Sequence, residues 1–317
     1  MQKKGTFIIS IDCEMLWGMR DFSEKKSLTG EYVLVGHSVM LRILELFKKY
    51  DIHATWAFVG LCLLESKDEI YKFSPKNKPT YYEKSLNNYE YIEDYIDKDG
   101  PDPYYHSGDM ASVIAQTPGQ EIGTHTFSHY YCWEEGQTAL QFKEDILCSI
   151  KASKEKLGVS PKAIIFPRNQ VNKKYLKILK SVGIEKYRGR QRFKSTKKTI
   201  FGKFSRAMLR LFTIPAYLAA YDLKKIDRQV SPVNLPGTFM FETYDGKRKM
   251  LMKRGMQVMK NVMTLSAMRG KTVHMYFHPH NLGCCTEENL DYLEELLQHY
   301  RNLNKKYGFQ SMNMGEV

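Results

Sequence analysis

The chain has 317 residues, 43% of them hydrophobic, and a formal net charge of +13. That length suits one large α/β domain or two small ones, and no apolar run approaches the ~18–20 residues that a membrane-spanning helix needs. Six cysteines (Cys13, Cys62, Cys132, Cys148, Cys284, Cys285) show neither a C-x-x-C nor a disulfide-framework spacing, and the polar start Met1 to Gly5 has no signal-peptide pattern. The expectation is a cytoplasmic protein with reduced, mostly buried thiols.

Thr6 to Asp12 is a nearly continuous apolar run, as in a parallel strand covered on both faces. Val39, Ile43, Leu46, Phe47 and Tyr50 recur at helical spacing and predict an amphipathic helix over 36–50. Ala54 to Val59 reads as a second strand and Glu121 to Thr124 as a third. Leu140, Ile146, Leu147, Ile150 and Leu157 mark a long helix closed by Gly158. Ala163 to Phe166 is the fourth strand, 173–182 a helix closed by Gly183, and Ile184 to Tyr187 the fifth strand. Phe239 and Phe241 place a sixth strand, and a helix over 250–268 precedes a seventh at Thr272 to Phe277. Thr286 is the expected cap of the next helix, with Glu287 and Glu288 in its first turn, where the dipole favours acids. Leu290, Leu293, Leu296, Leu297 and Tyr300 form the buried face of that helix. Phe309 to Met312 is a last short strand. This alternation predicts one parallel α/β domain over 1–317, and seven or eight units suit a barrel better than an open sheet.

Two insertions interrupt the pattern. Residues 66–110 are rich in tyrosine (Tyr71, Tyr81, Tyr82, Tyr89, Tyr91, Tyr95, Tyr104, Tyr105). Their rings either face the apolar sides of sugars or pack on one another. Residues 188–236 are basic. Arg190, Arg192, Lys194, Lys197, Lys198, Lys203, Arg206 and Arg210 interleave with Phe193, Ile200, Phe201, Phe204, Met208, Leu209, Leu211 and Phe212. Such a segment can lie on an anionic membrane, bind phosphates, or form a solvated basic face.

The chemistry-bearing residues fall at the carboxyl ends of the predicted strands, where barrel active sites are built. Asp12 and Glu14 follow the first strand, His125 and His129 the third, Arg168 the fourth, and His278 and His280 the seventh. Two imidazoles four positions apart can converge on one metal ion, and a carboxylate completes a catalytic site with an open position. Asp12 and Glu14, one residue apart in extended chain, point to the same side. One can bind the metal while the other serves as base.

Ser10-Ile-Asp12-Cys-Glu14, the H-[ST]-x-x-H string His125-Thr-Phe-Ser-His129, Phe166-Pro-Arg168-Asn169 and Met275-Tyr-Phe-His278 together resemble the motifs of the polysaccharide deacetylase family, carbohydrate esterase family four. The resemblance runs from the first strand to the seventh. It implies a distorted (β/α)7-type barrel with long inserted loops, and metal-dependent removal of acetyl groups from sugars, usually with zinc. It implies Asp12 as base, Glu14, His125 and His129 as metal ligands, His278 as acid and Arg168 as the group orienting Asp12. His280, Asn169 and Trp133 are the implied substrate contacts. The Phe-Pro-Arg-Asn-Gln and His-Pro-His-Asn strings are similar to a bacterial subgroup linked to surface-polysaccharide synthesis.

Three departures stand out. The first motif is Asp-x-Glu instead of adjacent Asp-Asp, so the two carboxylate roles could be exchanged. Pro167 separates Arg168 from the aromatic residue it usually follows. A counterpart of the motif that partners the catalytic histidine is not evident. The expected substrate is an N-acylated amino sugar in a glycan or in its nucleotide- or lipid-linked precursor, reached from the cytoplasm or the inner membrane face; nucleic acid is not expected. The alternatives are a deformylase or cyclic-amide hydrolase of the same superfamily, or a non-catalytic protein that binds glycan or anionic lipid on this scaffold. The HExxH arrangement of a metallopeptidase is absent, since position 126 is Thr.

Overall fold

The computed structural model describes residues 4–20, 27–95, 100–190, 208 and 211–317. Its framework is a parallel sheet. β1 (Thr6–Cys13) is buried along its whole length, as its apolar run requires. It pairs with β2 (Ala54–Phe58) from Ile9 onward and with β8 (Thr272–Phe277) from Thr6 to Ile11. β3 (Gln120–Thr124), β4 (Ala163–Ile165) and β5 (Lys186–Arg188) continue outward from β2. β9 (Gln310–Met312) pairs with Thr6 to Ile8 of β1, the part that β2 leaves open.

The two ends of this sheet are β6 (Val233–Asn234) and β7 (Phe239–Met240). They belong to one stretch of chain. Leu235 N donates to Tyr187 O (2.9 Å) and Gly237 N to Gly189 O (3.0 Å), on the β5 side. Thr238 N then donates to His274 O (2.7 Å) and Phe241 N to Tyr276 O (2.9 Å), on the β8 side. A single stave thus passes from one edge to the other and closes the sheet. Counted as one, it makes a distorted barrel of seven staves with helices around it, as the sequence predicts. Gly237 allows the crossing, because a Cβ there would lie 2.9 Å from the Tyr276 ring.

The helices surround this sheet: α1 (Leu28–Tyr50), α2 (Lys67–Phe73), α3 (Gly108–Ala115), α4 (Ala139–Leu157), α5 (Leu176–Ser181), α6 (Thr213–Tyr217), α7 (Lys249–Arg269) and α8 (Thr286–Tyr307). α1 begins at Leu28, not 36. Ser27 caps it by accepting from Gly30 N (3.1 Å), and its first turns bury Gly30 and Gly36 with Val33 between them, so a lone valine is their apolar signal. Gly36 touches the turn after β8, where a Cβ would lie 2.7 Å from His280 Cα. α4 opens with a capping box between Thr138 and Gln141 and ends at Gly158 in left-handed conformation (φ 71°). The expected cap of α8 is corrected. Cys285 is the flanking residue, and Thr286 is the first helical one, its hydroxyl donating to Leu282 O (3.0 Å).

The tyrosine-rich insertion packs inward in part. Tyr81, Tyr95 and Tyr105 are buried, and Trp17 lies against Tyr105 at 4.5 Å between ring centroids. Tyr71 and Tyr82 are exposed. In the basic insertion, Arg192, Phe193, Lys194, Lys197, Lys198, Ile200, Phe201, Lys203, Phe204, Arg206, Leu209 and Arg210 lie outside the described residues. Among the described residues, no helix is long and apolar enough to cross a membrane.

Candidate metal centre and active site

The loop that carries the histidine pair is built from backbone hydrogen bonds. His125 N donates to Phe58 O (2.7 Å), extending the β2 pairing by one residue. Phe127 N (2.7 Å) and Ser128 N (3.1 Å) donate to the Asp145 carboxylate, as does the Ser128 hydroxyl (2.5 Å). Asp145 comes from α4 and is fully buried. Burial raises its carboxyl to about 6 against the pull of those three bonds. The loop turns through left-handed backbone at Thr126 (φ 66°) and His129 (φ 55°), and Met15 (φ 47°), Arg168 (φ 52°) and Asn169 (φ 53°) share that conformation close by. Non-glycine residues so placed store strain, which concentrates at functional sites.

The loop brings two imidazoles to one carboxylate. His129 Nε2 lies 3.1 Å and His125 Nε2 3.4 Å from Glu14 Oε2, and all three residues are buried. Their candidate donor atoms lie within 4.8 Å of one another. Among the described residues, both ring nitrogens of His125 and Nδ1 of His129 have no hydrogen-bond partner. Buried nitrogens left that way are costly, and a carboxylate with two imidazoles is a donor set for a divalent cation such as zinc. The residues therefore fit a metal. Burial opposes the Glu14 charge, but His278, His125 and His129 outweigh it and hold the carboxyl well below its ordinary value. Burial lowers His129 and keeps it in the neutral form that ligates. Gly18 makes room for this carboxylate: a Cβ there would lie 2.3 Å from Glu14 Cδ.

Asp12 stands beside this cluster with a partner of its own. Arg188, at the end of β5, grips it with both ends of the guanidinium, Nη1 to Oδ1 at 2.6 Å and Nη2 to Oδ2 at 2.7 Å. The same arginine donates to Ser10 Oγ (3.1 Å) and Asn169 Oδ1 (3.2 Å) and lies 4.4 Å over the Tyr276 ring. Ser10 in turn donates to His274 Nε2 (2.8 Å), whose Nδ1 donates to Leu235 O (3.1 Å). Burial, then the Arg188 charge, press His274 down to about 3, so it is neutral. Burial also opposes the Asp12 charge, but Arg188 and His278 prevail and lower its carboxyl.

His278 Nε2 faces both carboxylates, 3.5 Å from Asp12 Oδ2 and 3.8 Å from Glu14 Oε1. Its Nδ1 donates to Asn281 Oδ1 (3.2 Å), which also accepts from the His278 backbone N. The His280 ring stacks on it at 5.0 Å, and burial lowers His280 to about 4. Asp12, Glu14, His129, Arg168, Asn169, His278 and His280 line a cavity of about 570 Å³.

One assignment is corrected. The expected partner of Asp12 is Arg168, but the structure gives that place to Arg188. The turn Pro167–Asn169 sets Arg168 in left-handed backbone, and its guanidinium lies 4.4 Å over the Tyr131 ring. Trp133 is not among the residues that line the cavity. Its indole N–H donates to Val171 O (3.2 Å), and Arg190 lies 5.2 Å from its ring. Arg188, Asp145 and His274 carry no assignment from the sequence, and Ser10 and Asn281 stand in its motif strings without a role. Only Arg188 had a usable signal, one residue past the predicted end of the fifth strand.

Residues 30–187 match the family model described as polysaccharide deacetylase. No curated protein matches the chain. Among solved structures, a Mycobacterium smegmatis protein assigned to the polysaccharide deacetylases has a TM-score of 0.56 at 14% identity, covering 99% of this chain and 90% of its own. The GH57-type branching enzyme of the archaeon Pyrococcus horikoshii has a TM-score of 0.54 at 12% identity, covering 98% and 69%. The Puue allantoinase has a TM-score of 0.52 at 12% identity, covering 94% and 83%. At such identities these structures speak for the fold alone. The family model spans the histidine loop and Arg168, and on it the chain belongs to the polysaccharide deacetylase family.

Proposed function

We propose that the protein hydrolyses the N-acyl group, in the simplest case N-acetyl, of an amino sugar in a glycan or its nucleotide- or lipid-linked precursor. The observation that carries this reading is the division of labour between two neighbouring carboxylates. Glu14 faces the two imidazoles, while Asp12, beside it, is held ionised by Arg188. Glu14, His125 and His129 would hold the divalent cation, zinc by its donor set. A cation bound there supplies Lewis acidity for water and for the acyl carbonyl.

The chain's own groups do the rest. Asp12 takes the proton of the attacking water. Arg188 keeps that carboxylate charged and fixes its plane, so the base is oriented before substrate arrives. His278 hands a proton from Nε2 to the amine as it leaves; without that proton an amide nitrogen is a very poor leaving group. Asn281 fixes the His278 ring by taking the Nδ1 proton in a hydrogen bond. Arg168, Asn169 and His280 form the wall against which a sugar would rest. A cytoplasmic enzyme meets nucleotide- and lipid-linked sugars sooner than exported polymer, so these are the substrates of choice.

The test is acetate and formate release from a panel of N-acetyl and N-formyl amino sugars, free, nucleotide-linked and lipid-linked. Acetate release that stops with chelator and returns with zinc supports the reading. Formate alone transfers it to a deformylase. No acyl release from any member by zinc-loaded protein would overturn it.

A further inference from the structure

Two stretches of this chain are free of acids, and the described end of the first, 211–221, packs on the second. From Lys186 to Tyr221 there are ten Lys or Arg and no Asp or Glu. From Gly246 to Thr286 there are eight (Lys247, Arg248, Lys249, Lys253, Arg254, Lys260, Arg269, Lys271) and again no acid. Together they hold more positive charge than the whole chain's +13, so the remainder is net acidic. Three contacts make that packing. Arg254 Nε donates to Leu211 O (3.0 Å), Asn261 Nδ2 to Thr213 Oγ1 (3.2 Å), and Lys271 Nζ lies 4.5 Å from the Tyr217 ring.

Ala216 and Tyr217 bury the inner face of α6. The outer side is apolar and stands in solvent: Phe212 is 48% exposed, Ile214 71% and Leu218 55%. Met250, one turn before Arg254 on α7, adds a fourth side chain at 88%. Single exposed apolar residues need no explanation, but four on two packed elements, with Lys249, Lys253 and Arg254 exposed beside them, form a combination. Projecting apolar side chains ringed by cations match the headgroup layer of an anionic bilayer, where the apolar tips enter and the cations meet phosphates.

We infer that this face, Phe212, Ile214 and Leu218 with Met250, seats on an anionic lipid surface, with Lys249 and Lys253 contributing charge. Protruding side chains this far exposed suit a deformable surface better than a rigid protein one, which needs about 800 Å² of complementary area. The Met250 end of this face lies toward the active site, whereas Tyr217, next to Leu218, meets Lys271 at the start of β8. Thr243, Tyr244 and Asp245 line both the active-site cavity and the cleft that reaches Leu251 and Met252 of α7. A seated protein would hold its cavity near lipid-linked glycan. That consequence rests on the deacetylase reading, whereas lipid binding does not.

Flotation with vesicles of phosphatidylcholine, with and without phosphatidylglycerol, tests binding with no catalytic readout. The full chain is expected to float with the anionic vesicles only, and less as salt rises. The doublet Ile214→Gln/Leu218→Gln should lose most of that binding, and Met250→Glu gives a second route to the same result if the doublet unfolds. Lys249→Gln/Lys253→Gln should weaken binding about fivefold for each cation removed. Thermal unfolding like that of the unmodified chain shows that the variants are folded. No flotation at low salt overturns the proposal. So does binding unaffected by all the substitutions, or a concentration-dependent dimer that Ile214→Gln/Leu218→Gln dissolves while vesicles go unbound.

Discussion

Asp12 owes its charge to a single arginine, and that dependence can be read from stability. Its carboxyl lies below the ordinary 3.8, since Arg188 and His278 outweigh burial. The pairing therefore contributes stability that is full above 3.8 and is lost as pH falls through the lowered value. Arg188→Leu leaves a buried carboxylate without its counter-charge. Chemical denaturation at neutral pH should show a loss of about 3–5 kcal/mol. In that variant burial dominates, the Asp12 pKa rises, and the deficit should shrink as pH is lowered. A deficit that grew on acidification would contradict this account of the pair. The roles of the two carboxylates separate in another measurement. Asp12→Asn should retain metal and lose turnover by at least about 10²-fold, whereas Glu14→Gln should lose metal on dialysis, as elemental analysis would show. The reverse pattern would exchange the two assignments. Asp12 with Glu14 and His125 with His129 could be read from sequence as short-spaced pairs at strand ends, and His278 from the string Met275-Tyr-Phe-His278. Arg188 shares the strand-end position but stands in no such pair or string, and its bond to Asp12 exists only once the barrel has curled.

Among the elements, α1 shows how a helix can be half hidden from a periodicity reading. Val39 onward announces it, but the turns before that bury two glycines, Gly30 and Gly36, around the single valine Val33. Gly36 faces backbone, His280 N and Cα at 2.7 Å from a would-be Cβ, so the neighbour cannot swing aside as a side chain would. Gly36→Ala gains about 1 kcal/mol of helix propensity and incurs about 1–3 kcal/mol of overpacking. The expected result is a small net destabilisation together with lower kcat, because the turn that moves carries His278 and Asn281. Metal content should stay unchanged, since His125, His129 and Glu14 sit on other elements. Kinetics and elemental analysis on the same preparation would check both halves. The cap of α8 departs from its sequence chemistry for a different reason. Thr286 has the right chemistry for a cap, but Cys285 in left-handed backbone takes that position one residue earlier.

Across the whole molecule, the metal ligands tie β1 to the loop after β3, so a bound cation should brace the barrel. Calorimetry of chelated and zinc-loaded protein should show a higher unfolding temperature with zinc, by about 2.7 kcal/mol of stabilisation at a hundredfold excess over Kd. Glu14→Gln should show little of this difference. An unfolding temperature indifferent to zinc would count against the cluster as a metal centre. The barrel itself was legible where strands are long and apolar, as in β1, β2 and β8. It faded at β6 and β7, which are two residues each and leave only Phe239 and Phe241 as a trace.

That short stave has a consequence for how the molecule breathes. The chain from Val233 to Phe241 is the clasp of the hoop, bonded to β5 at one end and to β8 at the other. It also reaches, by two routes, the arginine that holds the base. Leu235 O holds His274, His274 holds Ser10, and Ser10 accepts from Arg188, while Gly237 fits against the Tyr276 ring on which that guanidinium rests. Loosening the clasp would therefore slacken the grip on Asp12 before it disturbed the histidines. A slow opening of the hoop, seen as amide exchange at Leu235, Gly237 and Thr238, would mark the moments when the base loses its aim and the metal ligands keep theirs.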